Sequence, residues 1–85
     1  MITVKFFGLL NVDNNIKCLI VDTEKPKDVK YVIDEIVFKN PSITKKQLLS
    51  SVIFINKNQV VSKKSLAITL KDGDEIAFIS PTSGG

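Results

Sequence analysis

The strongest constraint on the fold is a stretch in the middle of the chain where apolar residues recur at helical spacing. Asp28, shortly after Pro26, is suited to cap the start of this helix, and Asn40 must leave helical geometry because Pro41 follows it. The apolar positions on one face are Val29, Val32, Ile33, Ile36 and Val37. An amphipathic helix must bury such a face, so the rest of the chain has to supply a second layer.

Segments with strand character lie on both sides of this helix. Period-two alternation marks the first strand, where Ile2, Val4 and Phe6 share one face. Further strands are predicted at 16–22, 52–55, 60–61 and 75–80, separated by turns at 13–15, 56–59 and 72–74. The order predicts an α+β domain in which a mixed sheet of four to five strands packs on one main helix. The first and last strands are expected to lie side by side in parallel.

Two local features complete this outline. Thr44 and Gln47 have the spacing of a capping box and predict a second short helix within 42–51. The second strand has a nearly continuous apolar run at 18–21, so its alternation does not determine which face is inward. We expect the folded domain to comprise residues 1–81, followed by a short tail at 82–85.

Composition excludes several kinds of chemistry. The 85 residues include no His, no Arg, no Trp and a single cysteine, Cys18, which excludes a Ser/His/Asp site, a zinc site and an iron–sulfur cluster. A cysteine in a strand with no activating neighbour is expected to be a structural small hydrophobe. All 12 basic residues are lysines, and they are scattered, so the net charge of +3 indicates a solvated surface rather than nucleic-acid binding.

The same sequence predicts a cytoplasmic protein that has no membrane contact. Its first residues lack the pattern of a secretory signal, and its apolar runs are too short to cross a bilayer. The acidic cluster of Asp72, Asp74 and Glu75 is too short for a calcium-binding loop and is expected to be a solvated turn. Any chemistry must therefore come from carboxylates, lysines, Cys18 or the chain ends.

The C-terminal segment is the most informative candidate site. It follows the last strand and consists of Pro81, Thr82, Ser83, Gly84 and Gly85. Small residues here add nothing to a core, and paired glycines pass through a channel too narrow for side chains. From Thr82 to Gly85 the extended reach is about 13–14 Å. Such a tail could place a terminal carboxylate in another protein's active site, although a frayed terminus of small residues is the alternative.

A candidate docking patch lies beside this tail. If Ile2, Val4, Phe6, Ile76 and Phe78 face the helix, then Phe7 and Ile79 emerge on the opposite face, close together where the first and last strands pair. Apolar side chains at the exit of a tail are suited to partner binding. The alternative is that a loop or the strand register covers them.

These residues carry a family resemblance. The segments concerned are Val4-Lys5-Phe6-Phe7-Gly8, Ile55-Asn56, Leu70-Lys71-Asp72-Gly73-Asp74-Glu75-Ile76-Ala77-Phe78 and Pro81-Thr82-Ser83-Gly84-Gly85. The chain resembles the MoaD/ThiS sulfur carriers, which have the ubiquitin-like β-grasp fold, and most resembles the small subunits of molybdopterin synthases. Its Phe-Phe pair favours the molybdopterin branch over the thiamine branch.

The resemblance implies a carrier that is not an enzyme alone and binds no cofactor. Gly85 would be adenylated by a ubiquitin-activating-type adenylyltransferase that uses ATP, and then converted to a thiocarboxylate with sulfur from a donor such as a cysteine desulfurase or rhodanese. The thiocarboxylate would enter the molybdopterin synthase large subunit and give its sulfur to cyclic pyranopterin monophosphate. The alternatives are sulfur delivery for thiamine or tRNA thiolation, a ubiquitin-like protein modifier, or an interaction module with an inert tail.

Overall fold

The computed structural model describes residues 1–8 and 17–80, and within them the chain alternates short strands with three helices. The helices are α1 (Val29–Lys39), α2 (Lys45–Ser50) and α3 (Ser62–Ser65). The strands are β1 (Ile2–Phe7), β2 (Cys18–Val21), β3 (Lys27–Asp28), β4 (Val52–Ile55), β5 (Asn58–Val60), β6 (Thr69–Leu70) and β7 (Glu75–Ile79). None of the helices in these ranges has the length and hydrophobicity needed to span a membrane.

A five-stranded mixed sheet in the order β2-β1-β7-β4-β5 forms one layer of the fold. Its central pair, β1 and β7, is parallel, whereas β2 pairs antiparallel with β1, and β4 pairs antiparallel with both β7 and β5. The two-residue strands β3 and β6 pair separately. The predicted α+β architecture and the parallel pairing of the first and last strands are therefore confirmed.

The core lies between the inner face of this sheet and α1. Alternation along β1 buries Ile2, Val4 and Phe6, and the rings of Phe6 and Phe78 stack with centroids 6.0 Å apart. The helix contributes Val29, Val32, Ile33 and Ile36 to the same cluster. Full burial of one such side chain contributes roughly 1.5–3 kcal/mol. This packing fixes which residues of β1 and β7 face away from the helix.

Side-chain caps set the helix ends as the sequence predicts. An Asp28 carboxylate oxygen accepts the Tyr31 backbone N–H at 2.8 Å, which satisfies one of the unpaired donors in the first turn of α1. The helix ends at Lys39, immediately before Asn40. The Thr44 hydroxyl and the Gln47 side chain form the predicted capping box at the start of α2.

The hairpin of β4 and β5 differs from its prediction. Asn56 and Lys57 have φ values of 49° and 71°, the geometry of a two-residue type I′ turn, so β5 begins at Asn58. The predicted turn at 56–59 was two residues too long, so the predicted return strand is present but its bounds of 60–61 were wrong. Helix α3 and the pairing of β3 with β6 were not predicted from the sequence.

The inward face of β2 is now assigned. Val21 is buried and Leu19 packs against the core, whereas Cys18 is exposed. The β1–β2 register pairs Cys18 with Lys5, and this position points away from α1. The expectation that the cysteine is a structural hydrophobe was therefore wrong.

Candidate functional site

The outer face of the sheet, the face turned away from α1, carries the predicted docking residues. Phe7 and Ile79 are direct partners in the parallel register of β1 and β7. Phe7 is 45% exposed and Ile79 is partly exposed. The structure thus brings these two residues together, as the alternation predicts, while their binding role stays a prediction.

Two further apolar residues extend this patch across the sheet. Val52 of β4 is paired with Ile79 and is 37% exposed. Val61 directly follows Val60, the last residue of β5 and the partner of Ile53. Extending this register by one residue places Val61 opposite Val52, and Val61 is 65% exposed. Val52 and Val61 also line one shallow groove together with Ser51, Gln59 and Val60.

Phe7, Ile79, Val52 and Val61 therefore form one row across four neighbouring strand positions, which we call the outer stripe. At the usual strand spacing the row is about 14 Å long. Sequence reasoning found Phe7 and Ile79. It missed Val52, whose place depends on the register of β4 on β7, and it missed Val61 because the predicted hairpin turn was too long. Contiguous apolar exposure of this kind is typical of a protein-binding surface.

An ion pair borders the outer stripe on the same face. The Lys5 ammonium lies 2.9 Å from a Glu75 carboxylate oxygen; Lys5 is paired with Ala77, which lies two residues after Glu75 on β7. Both side chains are solvent-accessible, so their net contribution to stability is at most about 1 kcal/mol. Their charges offset each other, so the ion pair adds no net charge beside the apolar row.

The chain leaves the sheet at Ser80, beside the outer stripe. The Ser80 backbone N–H and its hydroxyl both donate to the Phe7 carbonyl oxygen, each at 3.2 Å. Gly8 has a φ of 73°, and a Cβ added to it would lie 2.7 Å from the Ser80 carbonyl oxygen. We call the Phe7, Gly8 and Ser80 group the tail-root contact. Sequence reasoning named Gly8 only as the last residue of the segment Val4-Lys5-Phe6-Phe7-Gly8.

The predicted tail residues Pro81, Thr82, Ser83, Gly84 and Gly85 lie outside the described residues, as does the turn predicted at 13–15. What the structure gives is the point from which the tail starts. Ser80 directly follows Ile79, a member of the outer stripe. A partner bound to the stripe would therefore lie next to the start of the tail.

The opposite end of β7 holds a polar network instead. The Asp74 carboxylate accepts the Lys71 backbone N–H at 2.9 Å and the Asn56 side-chain amide at 3.1 Å. The Lys71 N–H is the main cause of a lowered pKa for Asp74; partial burial opposes it, whereas the Asn56 amide and the Lys71 charge reinforce it. Across residues 1–8 and 17–80, no group of three or more acidic or cysteine side chains is arranged to hold a metal ion. The hydrogen bonds of Asp74 instead join the β4–β5 turn to the turn that precedes β7.

Comparison with solved structures identifies the fold. SAMP1 from Haloferax volcanii superposes with a TM-score of 0.81 at 21% identity, covering 99% of this chain and 98% of that one. The small archaeal modifier protein 1 from Methanosarcina acetivorans gives 0.75 at 28% identity, covering 99% and 95%. The complex of subunits 1 and 2 of the molybdopterin-converting factor from Helicobacter pylori gives 0.65 at 25% identity, covering 99% and 97%. The described elements therefore form a ubiquitin-like β-grasp fold.

A family model covers almost the whole chain. The model of the ThiS family matches residues 4–85, which include most of β1, the outer stripe and the C-terminal glycines. No significant match was found among curated protein sequences. The extent of the family match, together with the fold, shows that this chain belongs to the ThiS family of ubiquitin-like sulfur carriers.

Proposed function

We propose that this chain carries sulfur on its C-terminal carboxylate for molybdopterin synthesis, as the small subunit of a molybdopterin synthase. The observation that carries the proposal is the outer stripe, which includes Ile79, the last strand residue before the chain departs toward Gly85. A partner that binds Phe7, Ile79, Val52 and Val61 would hold the carrier at the base of its reactive tail. Pro81, Thr82, Ser83 and Gly84 would then thread toward the partner's active site.

The chemistry needs an activation step because a carboxylate is a poor electrophile. A Gly85 carboxylate oxygen attacks the α-phosphorus of ATP, and the bond to pyrophosphate breaks. The resulting acyl-adenylate has a good leaving group. With hydrosulfide as the nucleophile, a C–S bond forms, AMP leaves and a proton is lost, which yields the thiocarboxylate. In this proposal the adenylyltransferase binds the ATP. A cysteine desulfurase or rhodanese carries the sulfur as a persulfide, and a thiol releases it as hydrosulfide while being oxidised to a disulfide.

The molybdopterin branch is supported by two observations. The 25% identical Helicobacter pylori structure is a complex of subunits 1 and 2 of a molybdopterin-converting factor. The chain also has the Phe6-Phe7 pair, of which Phe7 belongs to the outer stripe. The large subunit would supply the acid, base and anion-binding groups that a chain without His or Arg lacks.

A second candidate function is protein modification. It is supported by the 28% identity to the small archaeal modifier protein 1 from Methanosarcina acetivorans over 99% of this chain. In that case a lysine amine, rather than sulfur, would displace AMP from the Gly85 acyl-adenylate and form an isopeptide bond. Both functions use the same activated end and the same outer stripe. They differ only in the nucleophile that displaces AMP, which is hydrosulfide in one case and a lysine amine in the other.

Intact-mass analysis separates these candidates. The purified chain is incubated with ATP, a ubiquitin-activating-type adenylyltransferase and hydrosulfide, with and without a cell extract. Replacement of one oxygen by sulfur at Gly85 supports the carrier, and heavier conjugates support the modifier. No change with several such adenylyltransferases would contradict both. Adding the large subunit and cyclic pyranopterin monophosphate then tests for molybdopterin, whose absence would leave thiamine or tRNA thiolation as the destination.

The matched control is a chain that lacks Gly85. It should melt at the same temperature as the full chain, because small residues after the last strand are expected to add nothing to the core, yet it should acquire no sulfur. A large fall in melting temperature would contradict the assignment of 82–85 as a tail outside the folded domain.

A further inference from the structure

We propose that Gly8 and Ser80 are positioning residues that fix the direction in which the reactive tail leaves the sheet. The inference rests on the proposed function, since it concerns how the Gly85 carboxylate reaches the adenylating site. It assigns a task to the tail-root contact that is separate from binding by the outer stripe.

The hydrogen bonds of Ser80 tie the start of the tail to β1. The Ser80 N–H continues the pairing of β7 with β1 by one residue, and the Ser80 hydroxyl donates to the same Phe7 carbonyl oxygen. Ser80, the residue that follows β7, therefore directs both a backbone donor and a side-chain donor at the same acceptor, the Phe7 carbonyl oxygen. The two bonds hold both the position and the rotation of Ser80 relative to Phe7.

Gly8 lets the two segments approach this closely. A Cβ on Gly8 would lie 2.7 Å from the Ser80 carbonyl oxygen and 2.8 Å from its hydroxyl oxygen, distances that van der Waals repulsion forbids. The nearest of these atoms belongs to the backbone, so a side chain at position 8 must displace the start of the tail itself. The φ of 73° at Gly8 adds a second reason for glycine.

The outer stripe and the tail-root contact therefore control different quantities. The stripe supplies binding energy and sets how much carrier occupies the partner. The tail-root contact sets where the five residues after Ser80 start and in which direction they run. A displacement of Ser80 therefore also displaces the Gly85 carboxylate. Misplacement of a reacting group by about 1 Å costs on the order of 10²-fold in rate. A defect in the tail-root contact should appear in kcat, and a defect in the stripe should appear in KM.

Gly73 provides a matched control for Gly8. It also has a positive φ, 92°, but a Cβ added there would meet no atom within 4 Å, and it lies at the other end of β7. Alanine at either position imposes similar backbone strain. Only alanine at Gly8 displaces Ser80. A difference between the two variants thus reports on the tail-root contact rather than on stability.

The experiment measures pyrophosphate release from ATP with the adenylyltransferase that acts on the unaltered chain. Gly8→Ala should lower kcat at least about tenfold with KM changed less than about twofold, whereas Gly73→Ala should match the unaltered chain in both. Equal kcat values for the two variants would overturn the proposal. If the unaltered chain is not adenylated at all, the result contradicts the proposed function itself rather than the positioning role of Gly8 and Ser80.

Ser80→Ala keeps the inference testable if Gly8→Ala does not fold. It removes one hydrogen bond at the end of the sheet and leaves the backbone bond in place. The loss of one such bond corresponds to a kcat lowered about two- to tenfold. Ser80→Thr, which keeps the hydroxyl, should recover most of this loss. An unchanged kcat for Ser80→Ala in a chain that is adenylated would contradict the role of Ser80.

Discussion

The Asn56 side chain and Asp74 join the turn of the β4–β5 hairpin to the turn that precedes β7. The Asn56 amide donates to one Asp74 carboxylate oxygen at 3.1 Å, and its own side-chain oxygen accepts the Glu75 backbone N–H at 2.9 Å. The other Asp74 oxygen accepts the Lys71 N–H. The end of β7 farthest from the tail is therefore fixed by side chains, independently of the outer stripe.

The lowered pKa of Asp74 predicts a loss of stability in acid. Because the pKa of Asp74 in the folded chain lies below the usual aspartate value of 3.8, Asp74 stabilises the fold above about pH 3.8, and this contribution is lost as the pH falls through the lower folded-state pKa. Asp74→Asn should reduce the free energy of unfolding by about 1 kcal/mol at pH 7 and by less at pH 3. Urea unfolding at several pH values measures this, and an equal difference at both pH values would contradict it.

The contrast between Phe78 and Phe38 tests the location of the core. Phe78 is 0% exposed and stacks on Phe6, whereas Phe38 on α1 is 81% exposed. Phe78→Leu should reduce the free energy of unfolding by about 1–2 kcal/mol, and Phe38→Leu by less than about 0.5 kcal/mol. Denaturant unfolding of both variants provides the measurement. Similar losses of unfolding free energy would contradict the assignment of Phe78, and not Phe38, to the core.

The cap of α1 gives a further stability prediction. Asp28→Ala removes the acceptor of the Tyr31 N–H and should cost about 1 kcal/mol. Asp28→Asn keeps an acceptor oxygen and should cost much less. The midpoints of urea denaturation compare the two variants. Equal losses would mean that the charge of Asp28, and not its hydrogen bond, stabilises the helix.

The sequence was sufficient for features that depend on local periodicity and capping chemistry. Alternation along β1 and β7 determined which residues face α1, so Phe7 and Ile79 were predicted on the outer face before the register was known. Asp28 and Asn40 marked the two ends of the helix. Both signals are readable from sequence because a capping side chain and a following proline each affect only the neighbouring backbone.

The other half of the site depends on long-range geometry. A four-residue turn would have paired Val60 with Ile55 and moved Val61 two positions away from Val52. The actual turn has Lys57 at positive φ, where type I′ turns usually have glycine, so the local sequence gave a weak signal. The steric role of Gly8 depends on Ser80, which approaches only through the parallel pairing of β1 with β7.

Substitutions in the outer stripe should weaken partner binding while the fold remains intact. Phe7→Asp places a charge in the apolar row, and because Phe7 is already 45% exposed, the free energy of unfolding should change little. The dissociation constant for the molybdopterin synthase large subunit should rise about 30-fold or more, as for an aromatic hot-spot residue in an interface. Val61→Asp should have a smaller effect, since valine contributes less to such interfaces.

Phe38→Asp is the matched control for this prediction. It introduces the same charge at an exposed phenylalanine, but Phe38 lies on α1, which packs on the other face of the sheet. Calorimetric titration of the large subunit should give the same dissociation constant for Phe38→Asp and the unaltered chain. If Phe7→Asp also binds unchanged, the outer stripe is not the docking surface. If both variants lose binding equally, the effect comes from net charge, because each substitution adds one negative charge to a chain of net charge +3.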